Sequence, residues 1–131
     1  MSYLETLLER NEEFAQNFDS GDLPLAPKNK AIVLGCSDAR VDPAHIFDLE
    51  LGEALIIRNA GGRITPAVID EVSTMAFLGA KINPEDKTPL ELIIVHHTDC
   101  GTEQLANPKL QEAIMDHLGT DVSDIAIHDH Q

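Results

Sequence analysis

A chain of 131 residues with 43% hydrophobic content is one domain's worth of sequence, long enough to bury a core without disulfide staples. A net charge of −14, with nine basic residues, excludes a general nucleic-acid or anionic-membrane surface, since both need clustered Lys and Arg. No apolar run approaches the roughly 20 residues of a membrane span, and MSYLETLLER has no basic segment leading into an apolar one, so no secretory signal is read and the cytoplasm is expected.

Residues 2 to about 18 read as an amphipathic helix. Leu4, Leu7, Leu8, Phe14 and Phe18 recur near helical spacing, and Ser2 with Glu5 forms a capping box. Ser20, Gly21, Asp22, Pro24 and Pro27 break the pattern. Residues 1–28 are thus a helix and arm, which either lies over a partner subunit or packs on its own domain. Residues 29–131 are the core.

The core opens on AIVLGCSDAR, residues 31–40. Five apolar residues stop at Cys36, Asp38 and Arg40, which marks a buried strand with a thiol and an ion pair at its end. Asp42-Pro43 then starts a short helix with Asp42 as cap, and His45 on it reads as a surface residue. A second strand, residues 53–58, runs into Asn59-Ala60-Gly61-Gly62, where the glycines permit a tight turn or a close backbone approach. Thr65-Pro66 opens a helix to about Ala80. Its apolar face of Val68, Ile69, Val72, Met75, Ala76 and Leu78 is expected in the core. A third strand, residues 91–97, leads to His97, Asp99 and Cys100. Helical segments follow from Gly101 and from Asn107-Pro108 to a C-cap at Gly119. The tail holds one short strand, 125–127, or none. His117, His128 and His130 read as surface and tail residues.

Strand and helix alternate as in a parallel α/β sheet with helices on both faces. The near-continuous apolar strands predict burial on both sides. In such sheets ligands gather at the carboxyl ends of the strands, where the strand order reverses. Three such ends carry Cys36, Asn59–Gly62 and His97–Cys100.

The chain has two cysteines. In a reducing compartment they are metal ligands or reactive thiols before they are a disulfide. They also fit a pair of buried small apolar side chains, and a redox pair lacks the local C-x-x-C arrangement. Two thiolates and one imidazole leave a fourth position open, which is the donor set of a catalytic zinc site. His97 stands three residues before Cys100 and is taken as the ligand, since His96 points the other way along an extended strand. Zinc with two thiolates has net charge 2 − 2 = 0. Asp38 is either the fourth ligand, shutting the site, or is held by Arg40 in a bidentate pair that leaves the position to water.

Cys36-Ser37-Asp38-Ala39-Arg40, Arg58-Asn59-Ala60-Gly61 and His97-Thr98-Asp99-Cys100-Gly101 together resemble the β-class carbonic anhydrases, in motif order and in separation. The resemblance covers residues 31 to 105. It implies zinc on Cys36, His97 and Cys100, with Asp38 and Arg40 as the catalytic dyad, and a homodimer or dimer of dimers with the N-terminal helix over the neighbour. The implied reaction is reversible hydration of CO2 to bicarbonate by a zinc-bound hydroxide, with backbone near Gly61 and Gly101 as the floor of the substrate pocket. Family members usually have glycine before the histidine ligand, where this chain has His96. HHTDCG is similar to a subgroup that includes carbonyl sulfide hydrolases, so COS or CS2 hydrolysis is the alternative, and a silent zinc-binding relative a third reading. Members usually continue with a further helix and edge strand, so the C-terminal part is expected to be shortened.

Overall fold

The computed structural model describes residues 2–123. The strand reading at 125–127, His128 and His130 lie outside them. The element order is α1 (Tyr3–Gln16), β1 (Ala31–Cys36), α2 (Pro43–Ile46), β2 (Leu55–Asn59), α3 (Pro66–Ile82), β3 (Glu91–Ile94) and α4 (Pro108–Leu118). Short 3-10 segments stand at Ala60–Gly62 and Gly101–Ala106. The caps are where the sequence puts them. The Ser2 hydroxyl and Glu5 carboxylate exchange capping-box bonds. Asp42 accepts from the Ala44 N–H at 2.9 Å, and Thr65 from the Val68 N–H at 3.2 Å. Gly119 closes α4 in the left-handed conformation, its N–H on the Met115 carbonyl.

The sheet is parallel, in the order β2-β1-β3. Successive crossovers leave β1 to one side and then pass to the other. If both are right-handed, their connecting segments lie on opposite faces, and the order reverses beside β1. Register aligns Cys36 with Asn59 and Leu34 with Ile94. Two further bonds extend the pairing, from the Val95 N–H to the Leu34 carbonyl and from the Ser37 N–H to the Asn59 carbonyl. The chain leaving β3 therefore runs directly beside Cys36.

Burial is concentrated on the central strand. Ile32 and Leu34 are fully buried, and Val33 and Cys36 nearly so. Gly35 has a steric reason: a Cβ there would stand 2.7 Å from Pro43 Cγ, so its absence lets α2 close on the strand. The expected burial on both faces of every strand does not extend outward. All four residues of β3, an edge strand among the described residues, are exposed. The broad stripe expected on α3 narrows as well. Val68 is buried and Val72, Ala76 and Gly79 partly so, while Ile69, Met75 and Leu78 are exposed. The covered row of Val68, Val72, Ala76 and Gly79 recurs at helical spacing along one side of α3. α1 buries none of its residues. No described helix is long and apolar enough to cross a membrane.

Candidate metal centre

Cys36 is the last residue of β1, and its side chain is inside the sheet end. Past β3, the segment 95–97 continues beside β1 and delivers His97. Asp99 then takes a left-handed backbone conformation (φ 55°), which turns the chain so that Cys100 faces back toward Cys36. The result is a compact group. The ligand atoms of Cys36, His97 and Cys100 all lie within 4.8 Å of one another.

The donor set fits a metal ion. The two sulfurs are 3.7 Å apart. That is far longer than the roughly 2.05 Å of a disulfide, and it matches the about 3.8 Å expected of two sulfurs each about 2.3 Å from a tetrahedral centre. His97 Nδ1 lies 2.9 Å from the Thr98 carbonyl and donates to it. This fixes the tautomer and leaves Nε2 with a lone pair. Nε2 is buried and has no hydrogen-bond partner among the described residues, an orphan that a cation would satisfy.

Asp38 and Arg40 stand at the rim. Arg40 donates from Nε to Asp38 Oδ1 (3.0 Å) and from Nη2 to Oδ2 (2.7 Å), and its backbone N–H adds a third bond to Oδ1. These Arg40 bonds hold the Asp38 carboxyl well below the usual carboxylate range and raise the guanidinium in turn. Asp38 is therefore engaged by Arg40 through both oxygens, with Oδ2 4.0 Å from His97 Nε2. Arg40 also reaches across to the second motif, donating from Nη1 to Asp99 Oδ2 (3.0 Å) and from Nη2 to the Asp99 carbonyl (2.8 Å). One guanidinium thus ties the two halves of the site together.

The Arg58–Gly62 segment supports the site from behind. Arg58 donates to the carbonyls of Cys36 (2.8 Å) and Asp38 (2.7 Å), so it fixes the backbone between the first thiol and the carboxylate. Asn59 clamps the turn with a pair of bonds to Arg63 backbone. Gly61 and Gly62 are buried at positive φ. A Cβ on Gly62 would lie 3.0–3.2 Å from Val95 O, Gly35 C and Cys36 N, so the turn is pressed onto both strand ends. His96 faces this turn, with Nε2 3.1 Å from the Gly62 carbonyl. Gly101 is different: nothing lies within 4 Å of where its Cβ would be. His45 is exposed on α2 and apart from the group. Arg58's role in bracing the backbone and Thr102, whose hydroxyl is 2.9 Å from Cys100 Sγ, were not read from the sequence. Backbone carbonyl acceptors leave no pattern in it. A groove of about 410 Å³ is lined by Lys30, Phe47 and Pro89 at the amino ends of the strands, remote from this chemistry.

Fold and site together define a parallel α/β domain with a Cys–His–Cys group able to hold a metal ion at its switch point. The carbonic anhydrase family model matches residues 31–130. β-Carbonic anhydrase 1 of Mycobacterium tuberculosis is 32% identical over 120 residues, which span 91% of this chain and 68% of that protein. A carbon disulfide hydrolase of Acidianus is 36% identical over 101 residues, 76% of this chain and 43% of that protein. The crystal structure of a carbonic anhydrase from Streptococcus mutans superposes with a TM-score of 0.75 at 32% identity, covering 98% of this chain and 75% of that one. The chain belongs to the carbonic anhydrase family, in its β class, and its named relatives are enzymes.

Proposed function

We propose that the protein is a zinc enzyme that hydrates CO2 reversibly to bicarbonate. The observation that carries this reading is the pairing of a donor group with an open side, Cys36, His97 and Cys100, and an ionised carboxylate beside it that is held by Arg40 rather than by the group. Zinc, when bound, supplies Lewis acidity that brings the pKa of a coordinated water to about 7. Cys36, His97 and Cys100 would hold the ion, and Asp38 stands beside them, its Oδ2 4.0 Å from His97 Nε2. Asp38 Oδ2 accepts a hydrogen bond from the reacting water, which turns that water's lone pair toward the carbon of CO2. Arg40 keeps Asp38 ionised and aimed. CO2 is small and apolar, so the backbone near Gly61 and Gly101 suffices as its floor.

By the same reading residues 1–28 are an arm and residues 29–131 the core, and the protein works as a homodimer or dimer of dimers in the cytoplasm. The bare α1, with Leu4, Leu8 and Phe14 more than half exposed, supports a partner subunit there. The two free cysteines suit a reducing compartment.

Stopped-flow CO2 hydration on protein of known zinc content tests the assignment. Asp38→Asn should keep its zinc and lose roughly 10²–10⁴-fold in turnover; a fully active Asp38→Asn refutes the role of Asp38. The 36% identity to a carbon disulfide hydrolase favours one second reading, hydrolysis of CS2 or COS at the same site. Hydrogen sulfide release from either substrate, with no CO2 turnover at one zinc per chain, would establish it instead.

A further inference from the structure

Each sulfur of the metal-binding group has a hydrogen-bond donor two residues downstream. Cys36 Sγ accepts from the Asp38 backbone N–H at 3.4 Å. Cys100 Sγ stands 2.9 Å from the Thr102 hydroxyl. The second donor exists because Cys100 starts a 3-10 turn, with the Glu103 N–H on the Cys100 carbonyl, and that turn folds Thr102 back over the sulfur. A metal-bound thiolate has no proton, so Thr102 is then the donor and the bond is charge-assisted.

We propose that Thr102 is a positioning residue of the metal centre, its hydroxyl orienting the Cys100 sulfur and withdrawing electron density from it. This rests on the metal reading above. Of the two sulfur donors it is the one that a side-chain substitution removes, because the bond to Cys36 comes from backbone. A thiolate stabilised by a hydrogen bond gives up its electrons less readily. Its sulfur-to-metal charge-transfer band then lies at higher energy, and loss of the bond moves the band to longer wavelength. Loss of an outer partner of a metal ligand also costs about 10–100-fold in metal affinity.

The test uses the full chain loaded with cobalt(II) for the spectrum and with zinc, against a chromophoric chelator, for affinity. Thr102→Val keeps the shape and removes the hydroxyl, and should shift the sulfur-to-cobalt band to longer wavelength and weaken zinc at least about tenfold. Thr102→Ser should restore both. A Thr102→Val protein with the parent's band and affinity overturns the proposal, as does a Thr102→Ser that behaves like Thr102→Val. Should Thr102→Val not fold, Thr102→Ala is read the same way. A parent protein with no sulfur-to-cobalt band refutes the metal reading itself, a result distinct from an unmoved variant.

Discussion

Gly62→Ala is the sharpest probe of how the fold holds the site. Gly62 has φ 61°, where an L side chain costs roughly 1–2 kcal/mol. The added methyl would meet three backbone atoms, Val95 O at 3.0 Å, Gly35 C at 3.1 Å and Cys36 N at 3.2 Å. None is the end of a flexible side chain, so the strands themselves must move, and overpacking of this kind costs about 1–3 kcal/mol. The smaller entropy of an unfolded alanine returns about 0.4–1 kcal/mol. The net loss is about 3 kcal/mol, or a Tm lowered by roughly 10 °C for a domain of this size. Because the displaced atoms belong to the two strand ends that deliver Cys36 and His97, zinc affinity should fall with stability. Gly101→Ala is the matched control. Its Cβ points into open space, so its Tm should stay within about 1 °C of the parent. Thermal unfolding followed by circular dichroism decides the matter. A Gly62→Ala protein that melts within about 2 °C of the parent would refute the close packing of the turn on the strands.

Arg40→Gln should lower turnover roughly 10²-fold, measured by stopped flow, since it frees Asp38 from its only two side-chain bonds to Arg40. It should also reshape stability against pH. The folded-state pKa of Asp38 is depressed by Arg40, so its contribution is present above the unfolded value of about 3.9 and is lost as the pH falls below it. The Tm difference between parent and Arg40→Gln should therefore be constant from about pH 5 to 8 and shrink on acidification below about pH 4. A constant difference down to pH 2 would contradict the pairing. Chelation gives a further check. With metal bound, Cys36 and Cys100 should resist a thiol reagent, and after removal of the metal two thiols per chain should react without added reductant. Thiols that appear only after reduction would mean a disulfide.

The one-dimensional part of this protein was legible from its sequence. Cys36, Asp38 and Arg40 stand two residues apart at the end of an apolar run, and His97 and Cys100 three apart at the end of another. Strand ends and helix caps such as Asp42, Thr65 and Gly119 are local, and local sterics and hydrogen bonding write them into neighbouring residues. Parallel pairing at the switch point then follows from the alternation of strand and helix. What the sequence could not carry are the distances and partners that arise only when segments about 60 residues apart meet. The 3.7 Å between the sulfurs, the reach of Arg40 to Asp99, and the press of Gly62 on two strand ends depend on register and crossover. The exposure of Ile69, Met75 and Leu78 on α3 belongs to the same class. Periodicity marks a side chain as apolar, but the area of sheet in front of the helix decides whether it is covered.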